Sequence, residues 1–257
     1  MLANDLITLS ADKQFVTKTM HLPANYIESF HSHSWHQIIF PLNGLLQTNI
    51  DNKNFVVPHN GLLFVPANTV HRSIAISNSK FLALYLNPSF TVNDREKLKS
   101  CLVSSFLKEL IVLLFNVNST TYDEQMITNL LQVLHNQIEL AGNYDIPILI
   151  PDDRRLKSIF KRLTNQPDLQ LTLADWAVTV GASQRTLTRI CAKEFNQSFS
   201  LWRQSIRLVF SLELLAKKMS ILEVALHLGY KSDAAYIYAF KRLFQQTPSK
   251  YRKNHLS

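Results

Sequence analysis

The sequence predicts a chain of two parts, an all-β domain followed by an all-α domain. Three observations carry that expectation. Between residues 36 and 86 short apolar runs alternate with turn signals (HQIIF, PLNG, LLQTNI, DNKN, FVV, PHNG, LLFV, PANT, FLALYL), the spacing of an antiparallel barrel or sandwich. From residue 94 the apolar period becomes helical, and beyond Asp153 strand signals cease. Charge divides the same way: residues 154–257 hold 18 Lys and Arg against 6 Asp and Glu, net +12, whereas residues 1–153 hold 9 against 13, net −4.

A chain of 257 residues with 46% hydrophobic and 18% charged side chains can bury a real core, which excludes a disordered polyelectrolyte. Cys101 and Cys191 cannot build a disulfide framework or a four-thiolate zinc site, so a reducing cytoplasm is the expected compartment. MLANDLITLS has no basic segment leading into an apolar run, so no signal peptide is expected. The longest apolar runs, such as LIVLLF at 110–115, are too short to cross a membrane. The asymmetry of charge suggests a polyanion-binding C-terminal half; a basic surface kept for solubility is the plainer alternative.

The β-domain is expected over 1–92 and a helical dimerisation or packing segment over 93–141. In that segment Leu107, Leu110, Ile111 and Leu114 form one stripe, and Ile127, Leu131, Leu134 and Ile138 form another. The second stripe suits either a dimer seam or a helix packed on its own domain. The prolines and glycine of GNYDIPILIPDD mark 142–153 as a linker, and 154–257 reads as several short helices. A weak repeat runs through this last part. Ala177-x3-Gly181 matches Ala225-x3-Gly229 at an offset of 48. At an offset of 49, Ser183 matches Ser232, Phe195 matches Phe244, Ser198 matches Thr247, Trp202 matches Tyr251 and Arg203 matches Arg252. Each copy is helix, glycine turn, helix, over about 172–195 and 221–244.

In the first copy Thr172 can cap a helix that buries Leu173, Trp176, Ala177 and Val180. Gly181 supplies the turn, and Ser183 can cap a second helix that buries Leu187, Ile190, Cys191 and Phe195. This is helix-turn-helix spacing, in which exposed residues early in the second helix meet DNA base edges. Those positions are Arg185, Thr188 and Arg189. Arginine can pair bidentately with guanine, and a threonine methyl can touch thymine. Gln184 and Lys193 flank them, where phosphate contact is expected, and Ser183 at the helix start is counted in the same DNA-binding set. The second copy buries Val224, Ala225, Leu228, Tyr236, Ala239 and Phe240. It offers Ser232, Asp233, Ala234, Ile237 and Tyr238, with Lys241 and Arg242 beyond. Lacking arginine or glutamine at its centre, this face should discriminate bases less sharply. An ordinary solvated amphipathic helix is the alternative for either copy.

The second copy followed by FQQTPSKYR, and the first followed by SFSLWRQSIRL, resemble the DNA-binding domain of the AraC/XylS family of transcription regulators over about 154–253. The resemblance implies about seven helices, with a long central one near 201–217 holding two recognition helices in successive major grooves. Asn196 and Gln245 stand where the family usually has glycine. Asparagine tolerates a left-handed conformation and glutamine does so poorly, so the helix end near Gln245 is expected to be shaped differently.

FHSHSWHQIIF is the other notable constellation. Read as a strand, it places His31, His33 and Gln37 on one side and His36 on the other. HxHx3Q, then about 30 residues, then PxNxxH ending at His71 resembles the two motifs of the cupin barrel over roughly 25–90. Metal-binding cupins usually have glutamate where Gln37 stands and often glycine where Asn68 stands. These residues allow a divalent metal on His31, His33, His71 and Gln37, since imidazole suits zinc, nickel and iron. The alternative is a polar pocket lining with no cofactor at all. Trp35, Phe40 and Phe64 nearby equally suit a core.

The function expected is a sequence-specific DNA-binding transcription regulator, not an enzyme, that responds to a small molecule through the N-terminal barrel. Expected partners are double-stranded promoter DNA, an unidentified effector, RNA polymerase and a second copy of the chain. Two rivals remain open: a cupin-type metalloenzyme with a basic helical domain, and an adaptor whose helices bind protein.

Overall fold

The computed structural model describes residues 3–255 except 52, 60, 91–96, 118–120, 144–149, 167–169 and 218. Most of the linker expected at 142–153 therefore lies outside the described residues. The chain divides into two compact units, unit 1 (Met1–Asp145, with Asn254–Ser257) and unit 2 (Ile146–Lys253).

Unit 1 opens with helix α1 (Ala3–Thr8) and eight strands follow: β1 (Phe15–Leu22), β2 (His36–Asn43), β3 (Leu46–Ile50), β4 (Lys53–Val57), β5 (Gly61–Val65), β6 (His71–Ala75), β7 (Ser79–Leu86) and β8 (Lys99–Leu102). They form a five-stranded sheet of order β1-β7-β2-β5-β8 and a three-stranded sheet β4-β3-β6, antiparallel at every named pairing. The expected cupin-like architecture is present, but among the described residues the two sheets do not close into one continuous barrel. Pro41 is one cause. It has no N–H to give the ladder, the register between β2 and β7 shifts between Pro41 and Asn43, and the chain then passes to the smaller sheet.

Side-chain alternation gives the larger sheet two buried faces. Ile38, Phe40, Leu62, Phe64, Leu82 and Leu84 point to one side, where helices α2 (Ser105–Asn116) and α3 (Glu124–Leu140) cover them. Ile39, Leu63, Val65, Phe81 and Ala83 point to the other, against Leu46, Ile50, Val57 and Ala75 of the smaller sheet. Trp35, Phe40 and Phe64 are core residues. Strand β8 falls inside the stretch expected to be wholly helical. Its four residues KSCL bury only Cys101, too short a pattern to register in the sequence. The α2 stripe is buried as expected. On α3, Leu134 and Ile138 are buried in unit 1 itself, with Leu131 packed beside them, so this stripe is a packing face and not a free seam. The same helix exposes Met126, Val133 and Leu140 at seven-residue spacing.

Unit 2 contains seven described helices: α4 (Arg154–Asn165), α5 (Leu173–Thr179), α6 (Gln184–Phe195), α7 (Phe199–Ala216), α8 (Ile221–His227), α9 (Asp233–Phe244) and α10 (Pro248–His255). The sequence repeat is a repeat of hydrogen bonds. Thr172 with Asp175 and Ser220 with Glu223 form capping boxes at α5 and α8. The guanidinium of Arg203 donates to the carbonyl of Leu171, and that of Arg252 to the carbonyl of Met219. Each arginine thus ties the start of one unit's first helix to the helix that follows the unit. Trp202 and Tyr251 are both fully buried. Gly181 and Gly229 turn the chain at φ 62° and 73°, a region open to glycine at no steric cost.

Helix α6 ends at Asn196 (φ 51°, ψ 32°) and α9 at Gln245 (φ 56°, ψ 13°), both left-handed. The two ends share that conformation but differ in closure: the backbone N–H of Asn196 donates to the Ala192 carbonyl, whereas at Gln245 the side-chain amide donates to the Arg242 carbonyl at 3.1 Å. The conformation carries a local cost. Gln245→Gly is expected to stabilise unit 2 by about 1 kcal/mol, the approximate steric cost of this region for a side chain. Calorimetry checks this; an unchanged or lower melting temperature contradicts it.

Candidate functional site

On α6 the buried residues are Leu187, Ile190 and Cys191, and the opposite face holds Gln184, Arg185, Thr188, Arg189 and Lys193, all exposed. Ser183 also stands at the surface, but its hydroxyl accepts the N–H of Thr186 at 3.1 Å as the helix cap. The Thr188 hydroxyl donates back to the Gln184 carbonyl at 2.9 Å, which occupies its proton and leaves the methyl group available. Among the described residues no hydrogen bond or ion pair holds the guanidinium of Arg185 or Arg189. The sequence-predicted cluster is therefore assembled: two free guanidinium groups and a methyl on one helical face.

Helix α9 presents a different surface. Ser232 caps it by accepting from Ala235 N at 3.2 Å, and Asp233 accepts from Ala234 N at 2.7 Å, so the first turn is occupied with its own backbone. Asp233, Ala234, Tyr238, Lys241 and Arg242 are exposed, whereas Ile237 is half-buried. Tyr238 is 72% exposed, large for an aromatic ring. The face is apolar at its centre and basic only in its last turn, as the sequence indicated.

In unit 1 the segment before β2 runs beside β6. His31 and His71 exchange both backbone hydrogen bonds at 2.9 Å, which places their side chains together. His33 stands just before β2, Gln37 is its second residue, and Gln37 lies opposite Tyr85 of β7. The three histidines offer ligand nitrogens within 4.8 Å of one another. His36 points elsewhere: its Nδ1 accepts from Ala67 N at 3.1 Å and its ring stacks on Phe64. The two-sided reading of FHSHSWHQIIF thus holds, although the strand begins only at His36. Asn68 takes φ 61°, which accounts for asparagine at a position where cupins often use glycine.

Each ring of the cluster sets its Nδ1 against a backbone carbonyl: His31 on Ser29 at 3.0 Å, His33 on Trp35 at 2.6 Å and His71 on Thr69 at 2.8 Å. A carbonyl only accepts, so Nδ1 carries the proton and Nε2 keeps its lone pair. Burial lowers the pKa of His33, and it lowers that of His71 to about 4, which favours neutral rings. Gln37 Oε1 lies 3.2 Å from His33 Nε2 and 2.9 Å from His71 Nε2, while the Gln37 amide donates to the Tyr85 hydroxyl at 3.3 Å. Burial raises the Tyr85 pKa. The sequence reading missed Tyr85; its trace was a hydroxyl-tipped residue inside the apolar run FLALYL. Glu28 stands 4.0 Å from His31 Nε2.

Residues 16–149, just over half of the chain, match the family described as the AraC-like ligand binding domain, and residues 176–254 match a helix-turn-helix domain. The chain belongs to the AraC family of transcription regulators. It is 28% identical to the HTH-type transcriptional regulator NimR of Escherichia coli K12, over 86% of this chain and 81% of that protein. It is 34% identical to the HTH-type transcriptional regulator RipA of Corynebacterium glutamicum, over 39% of this chain and 30% of that one. Among solved structures, ToxT from Vibrio cholerae aligns over 93% of this chain and 98% of its own, with 13% identity and a TM-score of 0.41. In this AraC-family chain the histidine cluster falls inside the ligand-binding match, and both α6 and α9 fall inside the helix-turn-helix match. No helix among the described residues is long and apolar enough to cross a membrane.

Proposed function

We propose that this regulator acts in the cytoplasm as a homodimer that recognises promoter DNA chiefly through α6, with Arg185, Thr188 and Arg189 on base edges and Gln184 and Lys193 on phosphates. The observation that carries this reading is the exposed face of α6, where two arginines stand free beside a buried-face helix packed in the unit. Helix α9 contributes a weaker second reading through Ala234, Ile237 and Tyr238, with Lys241 and Arg242 on the backbone. The net +12 of residues 154–257 supplies most of the affinity by displacing counterions from phosphates. A small-molecule effector acts through unit 1, and RNA polymerase is the partner that turns promoter occupancy into output. The chain is not read as an enzyme, since its histidine cluster sits in the ligand-binding part of a DNA regulator.

The experiment is selection from a random-DNA library with the full chain at two salt concentrations. Two enriched blocks about one helical turn apart, the first sharp and the second degenerate, are the expected result. No enrichment, with weak binding that vanishes as salt rises, overturns the reading.

The second copy is assigned to the outer face of α3. Met126, Val133 and Leu140 repeat every seven residues, the spacing of a coiled-coil seam, on a helix whose opposite face is already anchored. Val133→Asp is expected to convert dimer to monomer in analytical ultracentrifugation without altering the far-ultraviolet spectrum; a dimer unchanged in that variant removes this assignment.

A further inference from the structure

We propose that Arg207 and Gln170 are positioning residues that lock α9 at one separation and angle from α6, and that they thereby set the spacing between the two DNA blocks the chain accepts. The lock stands on the geometry of unit 2; only its consequence for DNA rests on the promoter-binding reading above.

The two helix-turn-helix copies are joined in sequence through α7. Two bodies on one connecting rod can turn about it, and apolar packing resists such turning weakly because it is non-directional. Hydrogen bonds are directional. Two of them cross to the second copy, and both end on the turn between α8 and α9. The guanidinium of Arg207, on α7, donates to the carbonyl of Leu228 at 3.2 Å. The amide of Gln170, just before α5, donates to the carbonyl of Gly229 at 3.1 Å. These consecutive carbonyls close α8, where the last carbonyls of a helix have no partner within it. Among the described residues no hydrogen bond reaches the matching carbonyls of Val180 and Gly181 in the first copy.

The sequence repeat separates the two kinds of contact. Arg203 recurs as Arg252 and does the same task in each copy. Arg207 and Gln170 do not recur: Leu256 and Lys218 stand at the equivalent positions. Their bonds serve the pair of copies and not one copy.

Arg207 is also costly to keep. It is only 9% exposed, and among the described residues no carboxylate pairs with it. The negative end of α8 and the ring face of Tyr230, 4.7 Å from the guanidinium carbon, offset that cost. Tyr230 in turn meets Tyr236, fully buried on α9, at a ring-centre distance of 5.6 Å. Contact therefore runs from α7 through the turn into α9. One helical turn earlier on α7, Arg203 holds the carbonyl of Leu171, the residue after Gln170. With side chains four residues apart, α7 grips the entry of the first copy and the turn of the second.

The test has two parts, both on the full chain. Ala192→Cys on α6 and Ala235→Cys on α9, exposed and outside the DNA-contacting set, carry nitroxide labels, while the two native thiols are buried. Labelled chain is diluted with unlabelled chain so that only distances within one chain are read. Pulsed electron resonance without DNA should give one narrow distance distribution. Gln170→Ala and Arg207→Met should each broaden it, and Arg207→Lys, which keeps the charge and a donor, should broaden it less. Gln170 is exposed, so its variant carries little folding risk, and exchanging a buried charge for an apolar side chain is often neutral for stability. Circular dichroism confirms that the variants fold.

The second part measures affinity for duplexes with one base pair inserted between the two selected blocks. The insertion should cost the wild type roughly tenfold, the scale of one lost base contact, and the variants about threefold or less. Affinity for the first block beside a scrambled second should not change. Distributions as narrow in both folded variants as in the wild type overturn the lock. Broadened distributions with the insertion penalty unchanged overturn its role in spacing. Equal loss of affinity for every duplex, with a narrow distribution, marks a general structural role and overturns both. Broadened distributions in a chain whose wild type prefers no second block overturn the promoter reading of α9 and leave the lock standing.

Discussion

Arg189→Ala is expected to lower affinity for the selected operator by about 1–3 kcal/mol, the scale of one lost bidentate base contact. The magnitude follows from position. Arg189 lies on the outer face of α6, opposite Leu187, Ile190 and Cys191, and among the described residues nothing holds its guanidinium. Removing it therefore leaves the fold intact and removes one forked donor. Affinity for unrelated DNA should fall far less, since one charge among 18 Lys and Arg in residues 154–257 is a small part of the phosphate term. Lys193→Ala provides the contrast: it should weaken all sequences alike and reduce the salt slope by about 1. Competition binding against operator and scrambled duplexes measures both. If Arg189→Ala keeps its preference for the operator, α6 is not the main reader.

Trp202→Ala should have the larger effect on folding. Trp202 is fully buried at the start of α7, with Phe160 of α4, Phe195 of α6 and Phe199 around it at ring-centre distances of 6.4, 5.4 and 5.7 Å. Truncating a buried aromatic costs about 3–5 kcal/mol through lost transfer energy and the cavity left behind. Whole domains are stable by only about 5–15 kcal/mol, so unit 2 would lose much of its margin. The result expected is a depressed melting transition for unit 2, weak operator binding at 37 °C and partial rescue on cooling. Differential scanning calorimetry separates this from any change in unit 1. A melting temperature within a degree or two of wild type would mean that α4, α6 and α7 are held together by something other than this aromatic cluster.

The sequence exposed most where a local rule and a tertiary need coincide. Gly181, Ser183 and the stripe Leu187, Ile190, Cys191 specify turn, cap and buried face of α6 in one short stretch, so its exposed face was visible from spacing alone. The match between Arg203 and Arg252 was visible as a repeat, but its cause was not: both side chains reach back about thirty residues to a backbone carbonyl, which no local pattern encodes. The register shift between β2 and β7 beside Pro41 belongs to a long-range pairing that no local pattern encodes. Gln245 takes the left-handed conformation despite its poor propensity for it, with its own side chain bonded to the Arg242 carbonyl. At the histidine cluster the residue types were legible in HxHx3Q and PxNxxH. Tyr85 was not, since it joins only through the pairing of β2 with β7.

The two cysteines have a practical meaning. Cys101 lies in the core of unit 1 and Cys191 on the buried face of α6 in unit 2, each with no exposed surface. Burial pushes their thiol pKa values up to about 11 and about 12, so little thiolate exists in the native state. Alkylating reagents must therefore wait for each unit to open. With one thiol in each core, the two labelling rates clock the opening of the two units separately, in one sample and without introducing any probe.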